Sequence, residues 1–185
     1  MRLRKPRIEP LAEAEWDAEV RELLEPTRGG VGGGAVLNIF KTIAHHPKLM
    51  KRWNVFGNHV LFKSTLPPRD REILILRVGW LCRAEYEWGQ HVVIGRRVGL
   101  SDDDIARIRE GPEAPGWSPF EAALVRAADE LHADAFVSDD TWKTLAAGYD
   151  TRQMMDVVFT VGQYTVVSMA LNSFGVQLDP GIEGF

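Results

Sequence analysis

A single cysteine, Cys82, stands in the 185 residues, which excludes an intramolecular disulfide and any multi-thiolate zinc or iron–sulfur site within the chain. A basic surplus is missing as well: 22 Lys and Arg face 26 Asp and Glu, and the pI is near 5.8. Nothing in that balance neutralises a phosphate backbone or an anionic lipid surface, so neither nucleic acid nor a membrane is an expected partner. Five glycines crowd into the six positions from Gly29 to Gly34. The stretch lacks the Lys-Ser/Thr of a phosphate-binding loop and follows no strand pattern, so it reads as a hinge or lid. His45, His46 and His59 have no acidic residue at zincin-like spacing, and no metal is expected there. An apolar leader is missing too, because "MRLRKPRIEPLAEAEW" starts basic and turns acidic before any greasy run. The expectation is a soluble cytoplasmic protein.

What is present suffices for a core. At 45% hydrophobic, a chain of this length is expected to form one domain, with residues 1–35 as a helical arm and glycine-rich loop and residues 36–185 as a helical domain. "EAEWDAEVRELLEP" puts Trp16, Val20, Leu23 and Leu24 on one helical face ahead of Pro26. "NIFKTIAHHPKLMKRWNVFGNHVLFKST" predicts two helices broken at Pro47, and "LPPRDREILILRVGWLCRA" a buried helix opened by prolines. Ser101 and Ser118 read as N-caps and Gly111 as a stop; a short capped helix follows in "SDDTWKTLAAGYD". "TRQMMDVVFTVGQYTVVSMALNSFG" approaches the length of a membrane span, but Asp156, Gln163, Tyr164, Ser168 and Asn172 interrupt it, which favours a central core helix. The fold class is all-α.

The candidate chemistry lies in "ILILRVGWLCRAEYEWGQHVVIGRRVGL". On a helix, Glu87 and His91 stand four residues apart on one face, where a carboxylate orients an imidazole and sets its tautomer. The same pair also occurs as an ordinary structural ion pair. Glu72 reads locally as a carboxylate serving the dipole of its own helix. Tyr86 and Trp88 read as packing residues, or as rings that stack on an unsaturated ligand. Cys82 reads as a small buried hydrophobe, and His132 as part of a solvated helix face.

The order Glu72, eleven residues, Ala84, two residues, Glu87, three residues, His91 resembles the signature of the carboxymuconolactone decarboxylase and alkylhydroperoxidase D (AhpD) superfamily. In its peroxidase branch a Cys-x-x-Cys pair would fall on Ala84 and Glu87; both thiols are absent, and Cys82 stands two positions too early. "RAEYEWGQH" looks like the decarboxylase branch, and "NIFKTIAHHP" and "LNSFGVQLD" look like its longer members. The likeness is densest over 66–100, with looser support over 38–178. It implies an AhpD-like helical bundle whose subunits assemble as a homo-oligomer, a dimer, trimer or hexamer. It also implies cofactor-free decarboxylation, or a related proton transfer, on a small carboxylated lactone from aromatic catabolism. His91 paired with Glu87 would then donate the proton, with Glu72 orienting it or relaying the proton. Tyr86, Trp88 and Arg77 would contact substrate, Arg77 either through a substrate carboxylate or, alternatively, tied up with an acidic residue. A non-catalytic ligand-binding member is the alternative from another class. An alkylhydroperoxidase-type antioxidant protein would need a second, resolving cysteine.

Overall fold

The run Arg71–Gly79 has no polar face, so its helix can be stable only when covered all round. The computed structural model, which describes residues 2–28 and 34–185, places it accordingly. Helix α4 (Pro68–Leu81) is the central rod, with every residue from Arg71 to Gly79 buried. Helices α5 (Glu85–Arg97), α6 (Asp102–Glu110), α7 (Pro119–Asp134) and α9 (Thr151–Phe174) pack around it, and α8 (Asp139–Ala146) leans on α7 and α9. Ile73, Leu74, Ile75, Leu76 and Val78 meet Ile108, Leu124, Ala128, Val157 and Val161 in one continuous core. No strand occurs among the described residues, and the all-α reading holds.

Local signals set most boundaries. Ser101 and Ser118 close capping boxes with Asp104 and Glu121, Pro119 opens α7, and Asp150 caps α9. At the far end of α9, Gly175 adopts φ 71° and its N–H, with that of Val176, returns to the Leu171 carbonyl.

The N-terminal part forms a second layer. Helices α1 (Ala18–Leu24), α2 (Asn38–Ile43) and α3 (Pro47–Asn58) gather Trp16, Val20, Leu24, Val36, Ala44 and Met50 into a smaller core. The expected single helix over Trp16 to Leu24 is interrupted: Glu13–Glu15 make one 3₁₀ turn, and Asp17 accepts a hydrogen bond from the Val20 N–H to start α1 afresh. Asp17 satisfies a free helical donor better as a cap than it would from inside a longer helix. The helix pair meeting at Pro47 is as expected, and α3 runs on into one π turn over His59–Lys63. The hinge or lid read into the glycine-rich stretch falls on residues 29–33, outside the described residues.

Between α4 and α5 the chain reverses in three residues. Arg83 takes the left-handed conformation (φ 51°), a cost of roughly 1–2 kcal/mol for a residue with a side chain. The turn is secured by the Ala84 N–H on the Gly79 carbonyl (2.8 Å). This reversal lays the first turns of α5 against α4 and brings Glu87 and His91 to the level of Glu72.

Candidate functional site

Glu72 is completely buried in the fifth position of α4. A carboxylate there must be paired, and both its oxygens are. Arg71 Nε and Nη2 donate to Glu72 Oε1, each at 3.2 Å, and His91 Nδ1 lies 2.7 Å from Glu72 Oε2. On the other side of the imidazole, Nε2 lies 2.9 Å from Glu87 Oε1. That second approach is an ion-pair contact rather than a directed hydrogen bond, since Glu87 Oε1 has no hydrogen-bonding partner. Burial alone would lower the His91 pKa; the Glu72 and Glu87 carboxylates outweigh it and raise the value to about 10. At neutral pH the ring is an imidazolium clamped between two carboxylates.

The ring stands edge-on to Tyr164 of α9, with centroids 4.9 Å apart. Burial, followed by the Glu87 and Glu72 charges, pushes the Tyr164 hydroxyl well above its ordinary range, so it stays a donor. Glu87, His91, Tyr164, Gln90 and Gln163 lie on the wall of a cavity of about 620 Å³ between α5 and α9 on one side and the α1–α3 layer on the other. Leu37, Ile39, Phe40, Trp53 and Leu61 supply its apolar surface. Mostly apolar walls with a few convergent polar groups suit a small organic molecule.

A second cluster holds the α5 wall in place. Tyr86 and Gln90 donate to Asp179 Oδ2, the Gln90 bond at 2.8 Å, and the backbone N–H of Asn38 donates to Asp179 Oδ1 at 3.0 Å. The Ile39 N–H donates to the Tyr86 hydroxyl. Asp179, in the C-terminal segment, thereby ties α2 to α5.

Of the residues singled out in the sequence, the structure brings Glu72, Glu87 and His91 within direct contact, and Tyr86 lines the cavity with its hydroxyl engaged by Asp179. Two placements are corrected. Arg77 points away from the cavity, donating to both Asp129 oxygens and to the Ile108 and Arg109 carbonyls. Five residues beyond Glu72, it stands on the far side of α4 and serves α6 and α7. Trp88 is also turned away: it packs with Trp80 and Phe185 under the Arg109 guanidinium, because the side of α5 that carries it, three residues before His91, meets α4 and the C-terminal tail. Cys82 is half-buried rather than fully buried, with its thiol pushed up by burial and Sγ 3.7 Å from His132 Nδ1. It is not on the cavity wall.

Tyr164, Gln163 and Asp179 were missed as site residues. For Tyr164 and Gln163 the signal was the polar interruption of the apolar last helix, which on sequence alone argued only against a membrane span; Asp179, beyond that helix, carried none.

Residues 47–130 match the model of the Carboxymuconolactone decarboxylase family. None of the curated proteins matches the chain. Among solved structures, it is similar to the alkylhydroperoxidase AhpD core of an uncharacterized peroxidase-related protein from Ralstonia eutropha, with 16% identity over 95% of this chain and 93% of that one and a TM-score of 0.81. An uncharacterized peroxidase-related protein from Silicibacter sp. gives 14% identity over 96% and 95% of the two chains, with a TM-score of 0.80. The debrominase Bmp8, solved in complex with 2,3,4-tribromopyrrole, gives 12% over 96% and 94%, with a TM-score of 0.79. Over residues 47–130 the chain is thus similar to the carboxymuconolactone decarboxylase family, and the distant likenesses show an AhpD-like fold over nearly its whole length.

Proposed function

We propose that this protein, which has an AhpD-like fold and matches the carboxymuconolactone decarboxylase family over residues 47–130, is a cofactor-free acid–base enzyme that moves a proton to or from carbon in a small ring compound. The observation that carries the reading is the buried Glu72–His91–Glu87 row opening onto the cavity through its last two members. Perturbed titratable groups converging on a cleft are the mark of proton-transfer chemistry.

The roles follow from position. Glu87, with an oxygen that no donor satisfies, is the base that takes a proton from substrate. His91 stabilises the Glu87 carboxylate beforehand and shares the proton afterwards. Glu72, backed by Arg71, does not line the cavity and acts as a positioning residue that holds the ring and its charge. As the substrate C–H bond breaks, its electron pair moves into a conjugated carbonyl. Tyr164, a protonated phenol among the residues of the cavity wall, is the donor for the resulting enolate oxygen. Return of the proton at a second carbon completes an isomerisation.

Decarboxylation of a carboxylated lactone is the second reading, favoured by the family match. There the C–C bond breaks, carbon dioxide leaves, the electron pair stays in the conjugated system, and His91 supplies the proton to carbon and recovers one from water. This carboxy-lyase chemistry uses the same residues.

The test is incubation of the purified protein in deuterium oxide with 4-carboxymuconolactone and with uncharged unsaturated lactones, following carbon dioxide release and deuterium at carbon by NMR. Deuterium incorporation that drops by about 10²-fold or more in His91→Ala, the scale of one general acid–base group, supports the reading. Incorporation at an unchanged rate in the variant sinks it.

A further inference from the structure

We infer that the cavity selects an electrically neutral ring compound carrying an O–H or N–H donor, and rejects carboxylate anions. The inference rests on the acid–base reading of the same cavity, names its substrate class, and opposes the decarboxylation reading, whose substrate is a carboxylate anion.

The charge around the site is already balanced. Arg71 and the His91 imidazolium offset Glu72 and Glu87, and both imidazole nitrogens are occupied by those carboxylates. An anion approaching His91 Nε2 meets the Glu87 carboxylate, whose Oε1 lies 2.9 Å from that nitrogen. The remaining charged residues on the wall are Glu22 and Arg28 at the rim. Arg28 is spent: its Nη2 lies 2.7 Å from Glu13 Oε1, its Nε 2.8 Å from Glu25 Oε2, and its guanidinium sits over the Trp16 ring. Arg77, the cation expected to hold a substrate carboxylate, is committed to Asp129 on the far side of α4. A carboxylate entering this cavity would be buried without a counter-charge, an expensive state.

The hydrogen-bonding deficit points to the same class. Gln90 Oε1 is a buried acceptor with no donor, and Glu87 Oε1 has only the ion-pair contact to His91 and no directed hydrogen bond; both residues line the cavity. The Gln90 amide cannot flip to hide its oxygen, because its Nε2 donates to the Asp179 carboxylate. Buried acceptors left unmatched are costly, and a ligand O–H or N–H satisfies them.

Three unreactive probes of one skeleton separate the terms: 2-naphthol (neutral donor), 2-methoxynaphthalene (neutral, no donor) and 2-naphthoate (anion). Their dissociation constants are measured at neutral pH by fluorescence or calorimetry on the full chain and on Glu87→Gln, with circular dichroism confirming that the variant is folded. The expected result is naphthol binding about tenfold or more tighter than its methyl ether, the worth of one hydrogen bond to a charged group, with naphthoate weakest. In Glu87→Gln, which removes the negative charge and adds a donor, naphthoate affinity rises by about tenfold while the naphthol advantage shrinks. A rise in anion affinity is not what a merely loosened fold produces. Naphthoate binding as tightly as naphthol, or naphthol no better than its ether, overturns the inference. Because these probes do not turn over, that failure is distinct from failure of the acid–base reading, which the His91→Ala exchange experiment decides.

Discussion

His91 is held at both ring nitrogens, and this sets how its charge contributes to the folded state. Its pKa rises from 6.5 to about 10 on folding, with burial opposing and the Glu72 and Glu87 carboxylates prevailing. Arg71, behind Glu72, and the edge-on Tyr164 ring complete the groups around the imidazole. A group with a raised folded pKa stabilises the fold fully below its unfolded value and loses that contribution as pH climbs through the folded one. Denaturant unfolding is therefore expected to show wild-type stability declining from about pH 6.5 to pH 10 more steeply than that of His91→Gln. Parallel slopes for the two proteins would mean the imidazolium is not held as the geometry implies. Glu72, Glu87 and His91 are legible in the sequence because their spacing is a helical one plus a recognisable pattern. Tyr164 and Asp179 are not, because what brings them to α5 is the packing of α9 and the path of the C-terminal segment, which no local periodicity encodes. Arg77 stayed open between a substrate carboxylate and an acidic partner for a related reason: the helix angle placed it opposite Glu72, but only the tertiary structure shows Asp129 waiting there.

At the scale of elements, the helices that sequence reading located are those with capping signals, Ser101, Ser118, Asp150 and Gly175 among them. Their boundaries depend on short-range hydrogen bonds, and these are written in neighbouring residues. Trp16 to Leu24 differs because Asp17 can serve as either helix interior or cap, and the amphipathic pattern continues across it. The docking of the tail on α5 was likewise invisible. Gly89 leaves room there: a Cβ would collide with the Glu183 carbonyl oxygen and stand 2.7 Å from Ile182 Cγ2. Beyond it, Phe185 meets both Trp80 and Trp88, with ring centroids 5.0 and 5.8 Å apart. Gly89→Ala improves the intrinsic helix propensity of α5 by about 1 kcal/mol, so a helix argument alone predicts a more stable protein. The collision predicts the opposite locally: the tail lifts, Trp80 and Trp88 become solvated, and tryptophan emission shifts to the red with faster proteolysis after Asp179. Unchanged emission in Gly89→Ala would show that the tail does not bear on α5 in solution.

For the whole molecule, the long final helix presents one face inward and another to solvent. It is long and apolar enough to cross a membrane, yet half of its most apolar window is buried inside the protein, and the outward face has its own pattern. Met155, Val158, Val166 and Met169 are all exposed, and they are placed symmetrically about the exposed Gly162, where a Cβ would meet nothing within 4 Å. An antiparallel pairing of two copies of α9 about Gly162 would set Met155 against Met169 and Val158 against Val166 of the second copy, the self-complementary arrangement that a two-fold interface requires. Exposed Phe159, edge-on to Phe56 at 6.1 Å, widens the same apolar surface, which at such a size is more often an interface than bare protein. The homo-oligomer expected from the sequence is thus proposed to form here, leaving the Glu72–His91–Glu87 row within each subunit. Light scattering coupled to size exclusion is expected to give a dimer or a multiple of it for the wild type. Val166→Glu would bury an unpaired charge against Val158 of the second copy, twice in a two-fold pair, and is expected to yield monomers with unchanged circular dichroism and retained naphthol binding. A wild type that runs as a monomer, or a variant that assembles as before, would remove α9 from the interface and leave its exposed apolar row without a partner.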